Sequence, residues 1–542
     1  MTAASEASGP RTGGDAPAGS APAEPAPAPA ASGGPASGTR AEDAPPRSEV
    51  RVREREAAPG ARRLWCEWAW TGTGDGAPEH GVLVEVADGR ITSVTPDTRA
   101  PADAETLSGL TLPGLANAHS HAFHRALRGR THTGGGSFWT WRETMYRVAA
   151  RLDPDTYHRL ARAVYAEMAL AGITCVGEFH YLHHAPGGAR YDDPDAMGHA
   201  LADAAADAGI RITLLDVCYL SGGLDGNGVH QPLTGPQLRF GDGDAAAWAE
   251  RAAAFRPEGG HVRTGAAAHS VRAVPAAQLP EVAAFAAERD LPLHVHVSEQ
   301  PAENAACLAA YGRTPTAVLA DAGALTARTS LVHATHLSDA DVAAVRSSGA
   351  TVCLCPTTER DLADGLPRTG DLLPAPLSLG TDQHALTDMF EEARAVELHE
   401  RLRTHRRGTL GAGELLRAAT AQGHASLGWT RDPGTVVSGS GSPGASEGPV
   451  PPGGPREPPC EAPDAGALVP GARADLVNVL LDGTRLAGAD PARAADAVVF
   501  AATAADVRHV MADGRWIVRD GVHTLVPDTA RELDTVIKEV LT

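Results

Sequence analysis

Lysine is almost missing from this sequence: Lys538 stands alone near the C-terminal end, and arginine supplies the other basic side chains. Aromatic residues are scarce at 4%, and no apolar run approaches the roughly 20 residues needed to span a bilayer. Cysteine is sparse as well. The seven (Cys66, Cys175, Cys218, Cys307, Cys353, Cys355 and Cys460) are scattered through a long chain, which argues against a disulfide framework. Cys353 and Cys355 lack the C-x-x-C spacing of a structural zinc site, and alternation on a buried strand accounts for that pair. No basic segment followed by an apolar core opens the chain, so no secretory signal is expected and a reducing cytoplasm is the expected location. Positive charge is in deficit. A formal net charge of −20 argues against nucleic acid or an anionic membrane as a partner.

What is present is enough for a large enzyme. The chain has 542 residues, 43% hydrophobic and 21% charged, room for a full barrel, a smaller domain and some unstructured sequence. Residues 1–60 are rich in Ala, Pro, Gly and Ser, and are expected to be a disordered N-terminal extension. Residues 432–466, which include SGSGSPGASEGPVPPGGP, are expected to be a second low-complexity insertion. Between them short apolar runs alternate with helical stretches. The candidate strands are Leu112–Asn117, Ile173–Phe179, Ile212–Val217, Val262–Ala267, Leu293–Val297, Ser330–His333, Thr351–Leu354 and Leu377–Gly380. Eight βα units predict a closed (β/α)8 TIM barrel over residues 112–431, with a doubly wound open sheet as the competing topology. The flanks, residues 61–111 and 467–542, carry short alternating runs and turn signals, as in ADGRITSV and MADGRWIVRDG. They predict one small β domain split by the barrel, with a helix at the end of the chain.

The chemistry concentrates at strand ends. Asn117-Ala118-His119-Ser120-His121 follows directly on an apolar run, and residues two apart in extended backbone point the same way. Two imidazoles at that spacing suit a borderline metal such as zinc; the plainer reading is a histidine pair on a polar strand face. Four further strand ends support the metal. His294-Val295-His296 closes the fifth strand with Glu299 three residues on, His333 ends the sixth, Asp382 follows the eighth and His269 follows the fourth. Barrel strands deliver their C-terminal residues to one mouth, so these groups can converge. His119, His121, His296 and Asp382 are the expected metal shell. His296 is preferred to His294 because it sits nearer the strand end and nearer Glu299.

The elements PGLANAHSHAF, HVHVSE, LVHATH and LGTD, in that order, resemble the amidohydrolase superfamily and its deaminase branch over roughly Leu112 to Trp429. That resemblance implies an amidohydrolase-type barrel and metal ligation by His119, His121, His296 and Asp382. It also implies acid–base work by Glu299 and His333, and the expected mechanism has Asp382 accept the water's proton as well as ligate the ion. Binuclear members bridge their ions with a carboxylated lysine; Lys538 lies far beyond the barrel, so a single divalent ion is expected, with zinc the expected identity.

Within that branch, SHAFHRAL, FWTWRETMY, GEFHYLHH, HSVRAV and HVSEQ are similar to the formimidoylglutamate deiminases of histidine degradation. This closer likeness implies conversion of N-formimino-L-glutamate to N-formyl-L-glutamate and ammonia by water activated at the ion. It implies substrate contacts from Arg142, Tyr181, His269 and Arg272. His124 stands where some members of the family have glutamine, and either side chain can donate a hydrogen bond. The expected partner is a small molecule with two carboxylates, which forked guanidinium groups suit; the oligomeric state is left open, a homodimer included. Rival readings are a guanine- or adenosine-type deaminase, an imidazolonepropionase, and a non-catalytic barrel scaffold.

Overall fold

Strands covered on both faces read as nearly continuous apolar runs, and in this chain every residue of Ile173–His180 and of Arg211–Cys218 is buried, with the few polar members, such as Glu178 and Asp216, held by hydrogen bonds. The computed structural model describes residues 61–73, 76–132, 138–430 and 464–542. Eight strands pair in parallel and in chain order: Leu115–Ser120, Ile173–His180, Arg211–Cys218, Val262–Ala268, Leu293–Val297, Thr329–His333, Thr351–Leu354 and Leu377–Leu379. Helices connect them. Pro154–Leu170 illustrates the local logic: Asp153 caps its first turn by accepting from the Thr156 N–H, and Gly172, at φ 90°, turns the chain out of it.

The ring closes between its first and last members. Asp382 N–H donates to the His119 carbonyl at 3.0 Å, and His121 N–H donates to the Asp382 carbonyl at 3.2 Å. The Asn117 side chain clamps the same junction, donating to Thr381 Oγ1 at 2.7 Å and accepting from Thr381 N–H at 2.9 Å. An open doubly wound sheet is thereby excluded, because its strand order would reverse and its edges would stay apart.

The expected strand Leu112–Asn117 is corrected to two. Glu105–Pro113 belongs to a separate sheet, and the barrel begins at Leu115. Gly114 is the crossing point: a Cβ there would lie 2.4 Å from Thr174 Oγ1, so only glycine passes.

That second sheet has eight strands drawn from both flanks. Its N-terminal half comprises Arg62–Ala69, Glu79–Ala87, Arg90–Thr95 and Glu105–Pro113, and its C-terminal half runs from Leu476–Val479 to Val522–His523. Leu476–Val479 pairs antiparallel with Glu105–Pro113, joining the halves, while Arg62–Ala69 lies parallel to Glu105–Pro113. Residues 1–60 and 432–463 lie outside the described residues. The last three residues of the expected low-complexity insertion, Asp464 to Gly466, are a correction to it. Asp464 is buried and accepts from Arg90 Nη1 at 2.7 Å and Arg473 Nε at 2.9 Å, ion pairs that tie this stretch to the sheet. Among the described residues no helix is long and apolar enough to cross a membrane.

Candidate metal centre and its cavity

The ligand atoms of His119, His121, His296 and Asp382 all lie within 4.8 Å of one another, and all four side chains are buried. His119 Nε2 is 3.0 Å from His296 Nε2, while Asp382 Oδ1 is 3.4 Å from His119 Nε2 and 3.3 Å from His121 Nε2. The far nitrogens fix the tautomers. His121 Nδ1 faces the Phe179 carbonyl at 3.0 Å and His296 Nδ1 faces the His269 carbonyl at 2.8 Å. A carbonyl only accepts, so these Nδ1 atoms carry the hydrogens and the Nε2 lone pairs point into the cluster. Lone pairs and a carboxylate crowded together repel one another. A divalent cation among them removes that conflict, and a three-histidine, one-aspartate set suits a borderline ion.

Burial holds the ligands in the protonation states that ligation needs. It pushes the His119 imidazole down to about 3 and His296 well below the usual range. Burial would raise the Asp382 carboxyl, but the facing imidazoles of His119 and His121 hold it well below the ordinary carboxylate value. His294, two residues deeper in the fifth strand, does not reach the cluster; its Nε2 bonds to the Ser426 carbonyl at 2.9 Å.

The cluster opens into a cavity of about 410 Å³. Glu299, His333 and Asp382 line it beside His121 and His296, and so do His124, Arg142, Tyr181, His269 and Arg272. The eleven residues singled out from sequence therefore meet in one place, with only His119 set behind the wall.

A model of the amidohydrolase family matches residues 110–440, which is more than half of the chain. The chain belongs to the amidohydrolase family. It is 38% identical over 471 residues to a formimidoylglutamate deiminase of Pseudomonas aeruginosa, a span covering 84% of this chain and 94% of that protein. A crystal structure described as an amidohydrolase from Brucella melitensis superposes with a TM-score of 0.75 at 30% identity, covering 89% of this chain and all of that one. An adenosine deaminase from Xanthomonas campestris with bound zinc shares the fold at a TM-score of 0.68 and 22% identity, over 89% of this chain and 99% of its own.

The polar contacts inside this amidohydrolase cavity are specific. Arg272 Nη2 donates to Glu299 Oε2 at 2.8 Å, and its Nε lies 3.6 Å from Glu303 Oε2. Glu303 in turn accepts from the backbone N–H of Ser298 and Glu299, at 3.1 and 3.2 Å. Burial opposes the charge on Arg272, but Glu303 and Glu299 outweigh it and raise the guanidinium further. Arg272 thus orients the Glu299 carboxylate as well as facing the cavity. His124 Nε2 and the Tyr181 hydroxyl are 2.9 Å apart. Burial would lower His333, yet the Glu359 carboxylate, 3.6 Å from its Nδ1, and then Glu299 and Asp382 push it up to about 10. Its Nε2 is 3.8 Å from Asp382 Oδ2.

Sequence reasoning passed over several members of this family site. Cys355 stands with His333 and Asp382 in a second group of mutually close ligand atoms, although the Cys353–Cys355 pair reads as plain strand alternation. Glu359 and Glu303 carry no motif; only their burial beside charged partners marks them. Tyr146 lies in the FWTWRETMY stretch but draws attention only through what surrounds it in space.

Proposed function

We propose that this amidohydrolase hydrolyses N-formimino-L-glutamate to N-formyl-L-glutamate and ammonia. The observation that carries the reading is the shared cavity: three of the four candidate ligands of one ion, His121, His296 and Asp382, and two arginines, Arg142 and Arg272, face the same space, with His119 closing the cluster behind them. The substrate would carry an electrophilic amidine carbon for the first and two carboxylates for the second, and guanidinium forks match carboxylates. The activity for which the Pseudomonas relative is named supports the same substrate. The wall also carries Trp141, Tyr181, Tyr219 and Phe240, and it is the two guanidinium groups that favour a dicarboxylate over a purine.

A divalent ion held by His119, His121, His296 and Asp382, with zinc favoured by that donor set, would supply Lewis acidity and bring the pKa of water in the site towards neutrality. Asp382 Oδ1 is turned to His119 and His121, which leaves Oδ2, on the His333 side, to take the proton from the attacking water. His333, with Nδ1 facing the Glu359 carboxylate and Nε2 on the Asp382 side, hydrogen-bonds to and orients the attacking oxygen and stabilises charge developing there. Water adds to the C=N carbon, and the tetrahedral species collapses once its nitrogen is protonated. Glu299 delivers that proton, so ammonia leaves rather than an amide anion. Arg142, Arg272, Tyr181, His269 and His124 bind and orient the glutamate moiety.

The test is ammonia release by the purified protein from N-formimino-L-glutamate, guanine and adenosine, with metal analysis of the same sample. The expected result is release from the first substrate alone and about one ion per chain. Release from guanine or adenosine instead, or a protein that holds no divalent metal and ignores added zinc, would overturn the reading.

A further inference from the structure

The hydroxyl of Tyr146 has an unusual set of partners. It accepts from Arg142 Nε at 2.6 Å and from Gln237 Nε2 at 2.9 Å. Arg142 can only donate. The orientation of the Gln237 amide follows from its other contacts: its nitrogen also donates to the Gly222 carbonyl at 3.0 Å, and its oxygen accepts from Thr234 N–H at 3.2 Å. A carbonyl facing Gly222 would find no hydrogen, so the amide cannot be reversed. Gln237 is itself buried, and Arg142 Nη2 donates to the same Gly222 carbonyl at 2.9 Å.

Two donors therefore occupy the lone pairs of the phenol oxygen, and its own hydrogen must point elsewhere. Among the described residues no acceptor takes it. The ring is half-buried and lines the cavity next to Arg142. A neutral O–H with a guanidinium behind it is polarised by the two donors it accepts from, which makes it a stronger donor to an anion.

We propose that Tyr146 is a specificity-determining contact that donates its hydroxyl hydrogen to a carboxylate of the substrate, and that Gln237 is the positioning residue aiming it. This rests on the reading of the site as one for a dicarboxylate amidine. Arg142 and Tyr146, four residues apart on the helix Phe138–Ala149, then act as one unit, the first supplying charge and the second a directed hydrogen.

The test is steady-state kinetics of the metal-loaded full chain on N-formimino-L-glutamate and on two analogues, one lacking the α-carboxylate and one lacking the γ-carboxylate. Where an analogue turns over too slowly, its inhibition constant is read instead. Tyr146→Phe should raise KM roughly tenfold and leave kcat within about twofold, as expected for loss of one hydrogen bond to a charged group made equally in ground and transition states. The same substitution should have no effect on the analogue that lacks the carboxylate in question. Gln237→Glu offers the phenol a carboxylate to donate to and leaves Arg142 its acceptor. It should reproduce the rise in KM, and adding it to Tyr146→Phe should worsen nothing. An unchanged KM in Tyr146→Phe, an equal loss on all three compounds, or wild-type affinity in Gln237→Glu would each overturn the contact while wild-type activity stands. A wild type inert towards N-formimino-L-glutamate would overturn the functional reading and this contact with it.

Discussion

His333 and Asp382 both hold the left-handed backbone region, at φ 69° and φ 43°. Side chains other than glycine enter that region at a cost of about 1–3 kcal/mol each, and histidine and aspartate do so more readily than most. The turn it makes at a strand end swings each side chain over the barrel mouth, which is where the cost is offset. At this scale the sharpest prediction concerns Glu299, whose carboxylate is held by Arg272 but ligates nothing in the cluster. Glu299→Gln should lower kcat by about 10²- to 10⁴-fold, the usual worth of a positioned proton donor. Metal content should stay at the wild-type level. Near-normal turnover in that variant would remove Glu299 from the proton transfer, and lost metal would make it a ligand instead.

Among the elements, the connection after the second strand shows how a loop is made rigid enough to carry a binding residue. Tyr181 heads it, and the next turns are nailed down by a buried ionic lattice. His184 Nε2 lies 3.0 Å from Asp242 Oδ1, and Arg251 reaches Asp242 with its Nε at 3.1 Å. The same guanidinium forks onto Asp216 at the end of the third strand, at 2.8 and 2.9 Å. Trp248 Nε1 adds a further bond to Asp216 at 2.8 Å. Burial would raise the Asp216 carboxyl, but Arg251 overrides it and holds it down to about 2. Since an unfolded aspartate titrates near 4, this carboxylate contributes stability that is complete above about pH 4 and is lost as pH falls towards 2, amounting to about 2–3 kcal/mol. Arg251→Met should cost roughly 3–5 kcal/mol at pH 7, because it removes the shared partner of the buried Asp216 and Asp242 carboxylates and of Asp195, 3.4 Å from its Nη1. It should also change the acid response relative to wild type: protonation would relieve the stranded carboxylates, so the stability gap between variant and wild type should shrink between pH 7 and pH 4. Thermal melts of wild type and variant at the two pH values, with KM measured at pH 7 as a readout of the Tyr181 loop, check both statements; a gap that widens on acidification would contradict the lattice.

For the molecule as a whole, two junctions decide whether the site exists. One is the ring closure at Asn117 and Thr381, beside which His119, His121 and Asp382 meet across the seam. Asn117→Ala removes both hydrogen bonds of the clamp, together with a weak one to Met168 Sδ, and should cost about 1–3 kcal/mol, and it should weaken metal retention in dialysis more than a cavity elsewhere in the barrel does. Unaltered metal affinity would show that the strands stay joined without the clamp. The other junction joins barrel to sheet: Arg211, opening the third strand, is buried against Asp475 and Asp513, and its guanidinium lies 4.9 Å from the centre of the Trp429 ring. Removal of the ion is a test on this scale too. The four ligands are packed facing one another, so stripping the protein with a chelator should abolish activity and lower Tm by several degrees, with both restored by zinc. Binding a ligand a thousandfold above its Kd is worth about 4 kcal/mol to the folded state. A Tm indifferent to chelator and zinc would mean that the cluster does not hold an ion.

The amino-acid sequence alone determined what depends on short spacing: the apolar runs that became barrel strands, the helical stretches between them, and the two histidines that extended backbone must turn the same way. It also located the residues at strand ends, because a parallel barrel sends them all to one face. Tertiary structure decided the rest. The passage from one sheet to another at Gly114 is a matter of contact with Thr174, and the ring's closure depends on Asn117 meeting a residue 264 positions away. The pairing of Arg272 with Glu299, the placing of Glu359 beside His333 and the two donors on the Tyr146 hydroxyl come from partners that no local pattern links; Gln237 is 91 residues from the phenol it bonds. Local chemistry is written in neighbouring letters, whereas burial and long-range contacts set what each group can donate, accept or hold, and these come into being only when the chain is packed.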